Sequence, residues 1–454
     1  MFPITLVYLV ILIALYLGIV IFLDKKKILE RHNISLYGPF LMIKTERGKK
    51  SIHRLSRFRR FWSWFGDIGV VICFLSMIAV VLLLVWQFWW LGSHITKEIV
   101  EKLPEVNMVL VIPGINPLLP IGYTIIAIII AVVFHEFSHG ISASSSGVDI
   151  KSLGILAFII PVGAFVEPDE EQLDKIERRK RMRVFASGPA MNFFISIISL
   201  LIFSTALMGS VNIAADGIGV AYIVKDSPAQ MIGLDFGSII MEINSTPIKD
   251  IDDFLDVMNR THAGQNVSIT FYKNGKIIKG DVTLADRFAF TNVSDDKGKG
   301  FLGIVATTDY KEILAVLKNP LKRFPEGIFY LYAMPLSPIR GGYNPITDPY
   351  IRFFRVNGMF AGCPGVFWSL TNLVFWIFWL NFAIAIFNAL PMIPLDGGYL
   401  MQDLLGGLLE RFPVNKKSRE KITRYTMTAL SLLIFFLVIY PLLLKYLFPL
   451  LHRA

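Results

Sequence analysis

Residues 131–142 read AVVFHEFSHGIS and follow IGYTIIAIII (121–130), ten residues without a charge. Ionisable side chains inside so apolar a run are costly and tend to be functional. In an α-helix, positions i and i+4 share a face, so His135 and His139 can meet one ion, with Glu136 one position round. Neutral imidazoles suit Zn²⁺, and a catalytic zinc takes three protein ligands and keeps a position for water.

The chain has 454 residues, 54% of them apolar, against roughly 45–50% in an ordinary soluble domain. The excess lies in six long runs, about 4–23, 66–92, 121–144, 184–208, 366–388 and 425–449. Each suits a helix crossing ~30 Å of hydrocarbon. In the first run the charges follow the apolar stretch and no small-residue cleavage site stands out, which reads as an anchor rather than a signal peptide.

Net charge is +10, and residues 24–60 hold twelve Lys or Arg against three acids. Basic loops beside spans read as cytoplasmic and as neighbours of anionic lipid, not as a nucleic-acid surface. ERRKRMR (177–183) and KKSREKITR (416–424) fall on the same side under one alternation. Both termini and the long segment 209–365 are then external. If the third span ends near Ser144, His135 lies about 14 Å inside it at ~1.5 Å per residue, toward the cytoplasmic side. The two cysteines, Cys73 and Cys363, are too few and too far apart for a disulfide framework or a zinc finger.

A third ligand is offered by NALPMIPLDGGYL (388–400), where Asp396 precedes Gly397 and Gly398 at the edge of an apolar run. The alternative for Asp396 is a helix cap. HEFSH within one apolar helix and LDGG after a later one resemble the site-2 protease family of intramembrane zinc metalloproteases. SGPAMNF (187–193) resembles that family's GPxxN element, and SLGILAFIIPVGAFVEPDEEQ (152–172) its membrane-associated β-hairpin. The resemblance implies one zinc per chain on His135, His139 and Asp396, with Glu136 as general base. It makes Asn192, Asn381 and Asn388 candidates for stabilising the oxyanion or binding substrate, each with interhelical hydrogen bonding as its alternative.

SPAQMIGLDFGSIIMEINSTPI (227–248) resembles a bacterial-type PDZ domain, placed at 212–287. It implies a peptide ligand added at a sheet edge, its carboxylate received by amides near Asp216–Gly219. The aromatic stretch 324–339 is short and broken by proline, as in an interfacial or re-entrant piece.

The expected fold is a polytopic α-helical membrane protein of about six transmembrane helices, with a membrane-associated β-hairpin and an inserted α+β PDZ-like domain. Its organisation reads as a transmembrane hairpin with a basic loop (1–120), the first half of a catalytic membrane core (121–208), the PDZ-like domain (212–287), an external linker of undefined fold (288–365) and the second core half with a last helix (366–454). The expected partners are the lipid bilayer, single-span membrane-protein substrates cut within the membrane, and no nucleic acid. The competing reading is a catalytically silent receptor or chaperone, which has no use for the general base Glu136. A transporter would need ionisable residues along several spans.

Overall fold

The computed structural model describes residues 4–31, 33–158, 160–340 and 342–451. The chain divides into two units, residues 1–198 with 376–454, and residues 199–375.

The long helices of the first unit are α1 (Ile4–Lys25), α2 (Arg59–Ser93), α3 (Ile121–Ser145), α4 (Arg178–Leu201), α5 (Pro364–Asn388), α6 (Asp396–Leu409) and α7 (Lys416–Leu451). The unit boundaries fall within α4 and α5. Among the described residues five helical stretches are long and apolar enough to cross a membrane: α2, α3, Arg178–Ser210, α5 and Lys416–Leu450. The chain is an integral, multi-pass membrane protein. The first expected span is the 22-residue α1. It is not among the five, and the side chains of residues 4–13 lie outside the described residues.

Lipid tails are as apolar as leucine, so helices in a membrane associate by close packing of small residues and by polar contacts. Helix α2 shows this against α4. A Cβ on Gly66 would lie 2.7 Å from Cβ of Arg183, and one on Gly69 would lie 2.8 Å from Cβ of Ala190. Cys73, on the same helix, is fully buried and its thiol faces the Ala186 carbonyl at 3.8 Å. It is a small packing residue, whereas Cys363 is exposed.

The basic stretch 24–60 holds more order than a loop. Strands β1 (Ile34–Tyr37) and β2 (Phe40–Thr45) form a hairpin. β2 pairs with β3 (Ile150–Phe158), and β3 with β4 (Ile160–Pro168), giving one antiparallel sheet in the order β1-β2-β3-β4. Glu167 ties three of these strands together. It takes the Lys44 ammonium at 3.0 Å and the Ser152 hydroxyl. The hydroxyl first, and then Lys44, hold its carboxyl below the usual carboxylate range despite partial burial.

The second unit is built on an antiparallel sheet of β5 (Ile218–Ile223), β6 (Ile239–Ile243), β7 (Asn266–Lys273), β8 (Lys276–Thr283) and β9 (Ile304–Thr308), in the order β8-β7-β6-β5-β9. Thr246–Pro247 adds a short strand beside β6. Strand β7 alternates, burying Val267, Ile269 and Phe271, as a half-buried strand does. These pack with Val220, Ile240 and Phe254 of the helix Ile251–Asn259.

Two expectations change here. The stretch 288–365, whose fold the sequence left undefined, contributes a strand, and the sheet runs past 287, because β9 pairs along β5. Its five residues give little local pattern, and its partner lies far back in the chain. Gly303, at φ 102°, delivers the chain into β9 where a Cβ would lie 2.2 Å from Ser227. Gly219 is flanked by Ile239 on one side and Thr308 on the other, so this part of β5 is interior to the sheet rather than an edge for a peptide. The aromatic stretch forms only the eight-residue helix Glu326–Ala333 and a 3₁₀ turn, Met334–Arg340, neither long enough to span.

Gly69→Val should force α2 and α4 apart and destabilise the bundle by about 1–3 kcal/mol. Thermal unfolding of the full chain in detergent measures this, and an unchanged midpoint contradicts the packing described.

Candidate metal centre

His135 and His139 face one another from successive turns of α3, with their Nε2 atoms 3.1 Å apart. Asp396, the first residue of α6, places Oδ2 at 3.1 Å from His135 Nε2 and Oδ1 at 3.3 Å from His139 Nε2. The residue before it, Leu395, is the helix cap and makes no side-chain bond, so Asp396 turns to the histidines rather than capping α6. All three side chains are largely buried, and their donor atoms lie within 4.8 Å of one another.

The arrangement passes three tests for a divalent ion. The first is spacing. A tetrahedral zinc with ligands at about 2.0–2.1 Å separates neighbouring donors by about 3.3–3.4 Å, close to the separations found. The second is protonation. His139 Nδ1–H donates to the Val184 carbonyl at 2.7 Å, which leaves the lone pair on Nε2, facing His135 and Asp396. The third is space. A Cβ on Gly188 would lie 2.3 Å from His139 Nε2 and 2.7 Å from His135 Nε2. Only glycine at this position lets α4 pass so close to the donor atoms.

Asn192, one turn further along α4, is fully buried with its amide nitrogen 3.3 Å from His135 Nδ1. Its oxygen is buried without a hydrogen-bond partner. Amide oxygen and nitrogen are assigned from the surrounding network. Exchanging them gives the oxygen the His135 Nδ1–H as a donor and leaves Nε2 of His135 free for an ion. This places Asn192 behind the imidazole, on the ring nitrogen away from Asp396. Asn381 is fully buried and its amide donates to Ile377 of its own helix at 2.8 Å. Asn388 is half-buried at the last turn of α5.

Helix α6 is held to α4 by contacts that bring Asp396 to the histidines. Asp403, seven residues on and so roughly on the same face, takes Nε of Arg181 at 2.9 Å and its terminal nitrogen as well. Phe185 stacks on Tyr399 with ring centres 4.9 Å apart. At the start of α6, Cβ atoms on Gly397 and Gly398 would collide with backbone atoms of Ala389 and Met392 at 2.3 and 2.6 Å. The two glycines of LDGG therefore serve close backbone approach.

Glu136 is half-buried, and its Oε2 accepts from the Val166 amide of β4 at 3.2 Å. β4 ends the four-stranded sheet, so an edge amide fixes this carboxylate. The contributions of Val166, Val184 and Gly188 are not legible as chemistry in the sequence, because two act through backbone atoms and one by lacking a side chain. The SGP of SGPAMNF is the only local signal for them.

Residues 123–434 match peptidase family M50. The chain belongs to peptidase family M50. The resemblance to site-2 proteases is thereby borne out, and this M50 peptidase is a zinc metalloprotease. An uncharacterised protein of Methanocaldococcus jannaschii is 26% identical over 90% of this chain and 94% of its own length. The zinc metalloprotease RasP of Shouchella clausii is 23% identical over 54% of this chain and 56% of its own. The zinc metalloprotease Rip1 of Mycolicibacterium smegmatis is 22% identical over 61% and 82%. Among solved structures, the PDZ domain of an SdrC-like protein from Listeria monocytogenes covers 21% of this chain and 90% of its own, at 24% identity and a TM-score of 0.18.

Gly188→Ala should displace both imidazoles and lower zinc bound to the purified M50 peptidase well below one per chain. Full occupancy by metal analysis contradicts the role given to this glycine.

Proposed function

We propose that this M50 peptidase cuts membrane-protein substrates within or beside their transmembrane segments, with His135, His139 and Asp396 as zinc ligands. The observation that carries the reading is the donor set itself: three convergent ligand atoms, two of them on the membrane-length helix α3. Hydrolysis at that depth requires water inside the bundle.

His135, His139 and Asp396 would hold the zinc, which when bound would supply a water of lowered pKa, toward ~7, and a Lewis acid for the scissile carbonyl. Glu136 takes a proton from the attacking water and later delivers it to the leaving amine. The Val166 amide holds one of its oxygens, so the other is free to exchange the proton. His139 is oriented by the Val184 carbonyl. Asn192 orients His135 from the opposite ring nitrogen, a positioning role in place of oxyanion stabilisation. Asn388, at the end of α5 in the segment that leads to Asp396, is the better placed of the remaining two asparagines for contact with an unwound substrate. Asn381 serves the packing of its own helix.

The basic loops put both termini and the second unit outside, with α1 as a sixth span and the metal toward the cytoplasmic side. The strands of 152–172 lie against the membrane there and present the β4 edge to substrate. The β5–β9 sheet, with the short helices Pro228–Met231 and Ile251–Asn259, is PDZ-like. A peptide adds to such a sheet at a terminal strand, here β8 or β9.

Two variants test the chemistry on single-span substrates. Glu136→Gln should keep zinc and lose cleavage by roughly 10²–10⁴-fold; equal turnover removes the base from Glu136. Asp396→Ala should lose most of the zinc, and full occupancy removes it from the ligand set. A cysteine placed on β8 should react with an impermeant thiol reagent from outside intact cells; labelling only after lysis reverses the topology.

A further inference from the structure

The helix Lys49–Ser56 carries KKSIHRLS and buries only Ile52 and Ser56. Both face α3. A Cβ on Gly140, the residue after His139, would lie 2.9 Å from Ile52 Cδ1. Ser144 donates to the Ser56 hydroxyl at 3.0 Å and lies 3.3 Å from His53 Nδ1. The short helix is therefore fixed in place, and its remaining face turns outward.

That face lines a cavity of about 530 Å³ with Lys49, Lys50, His53, Arg54 and Arg57, opposite Asp149. Four permanent cations meet one carboxylate. Lys49 pairs with Glu46 at 3.1 Å. Among the described residues, no carboxylate lies within ion-pair distance of Lys50, Arg54 or Arg57. Asp149 is engaged elsewhere, accepting from the Gln172 side chain at 3.0 Å while its own amide donates to Gln172 Oε1 at 2.8 Å. Cations gathered around a cavity without counter-charges repel one another, and an anion relieves that repulsion.

Depth narrows the choice of anion. Arg57 stands two residues before α2 begins at Arg59, and α2 is of membrane-spanning length. The apolar run of α2 begins near residue 66, so the cavity lies on the aqueous side of a span, within reach of lipid headgroups. A phosphate group presents several charged acceptor oxygens to donors converging from different directions, which suits mixed Lys and Arg.

We propose that this cavity binds a phosphate group, supplied by the headgroup of an anionic phospholipid. The site is separate from the metal ligands, although the short helix that carries its cations packs against the same helix α3.

The test is native mass spectrometry of the full chain, transferred from phosphatidylcholine nanodiscs with and without phosphatidylglycerol into detergent. Wild type should retain phosphatidylglycerol in preference to phosphatidylcholine. The triple variant Lys50→Gln/Arg54→Gln/Arg57→Gln should retain it less by on the order of tenfold or more. Lys416→Gln/Lys417→Gln/Lys421→Gln, which removes equal charge beside another span, should behave as wild type. Zinc content verifies that each variant is folded, and Arg54→Lys/Arg57→Lys should restore binding if the triple variant is not. Inorganic phosphate added to the wild type separates the sources. Failure to displace the lipid supports the headgroup, whereas displacement at low concentration supports the same site with free phosphate as its ligand. Equal lipid retention by wild type and the cavity variant, or equal loss in both triple variants, overturns the proposal.

Discussion

The structure turns on bringing three charged or chargeable donors together inside an apolar bundle. His135 and His139 come from α3 and Asp396 from α6, far along the chain, yet their donor atoms lie within 4.8 Å of one another. An unpaired carboxylate at such a place is expensive, and so are two imidazole lone pairs pointed at each other. A bound cation resolves both problems at once. The surrounding elements follow from that need: glycine at 188 for room, the Val184 carbonyl to fix one ring and the Asn192 amide to fix the other.

The same economy governs the basic end of α4. Arg181 meets Asp403 of α6, while Arg183 and Arg179 both reach Asp67 of α2, at 2.7 and 3.0 Å. Arg178 pairs with Glu410 at 2.8 Å. In sequence this cluster, ERRKRMR, reads as a sidedness signal. In the fold it is also a set of ties that holds α6 and α2 to α4, the helix that passes beside the two histidines. Single exposed pairs contribute little, but Asp403 is buried, so removing either it or Arg181 would strand a charge.

What the sequence made legible is the chemistry carried by side chains at fixed spacing. The four-residue interval of His135 and His139 and the long apolar runs express a period or a composition, which survive without tertiary information, while LDGG was legible as a carboxylate between an apolar run and two glycines and through the family resemblance. What it concealed depends on distant pairing or on backbone. Strands β1 and β2 hide in a loop whose charges dominate its reading, and β9 hides in five residues whose partner is far back in the chain. The Val166 amide and Val184 carbonyl belong to residues whose side chains say nothing of the site. Asn192 was legible as a polar residue near the chemistry, but its position behind His135 is a matter of helix packing.

Zinc-edge X-ray absorption on the purified protein reads most directly whether an ion is held by two imidazoles and one carboxylate. Such a site gives only nitrogen and oxygen neighbours at about 2.0–2.2 Å, with outer-shell scattering from two imidazole rings. A sulfur neighbour at about 2.3 Å would place the ion on a cysteine such as Cys73 and contradict it, as would a spectrum with no imidazole scattering.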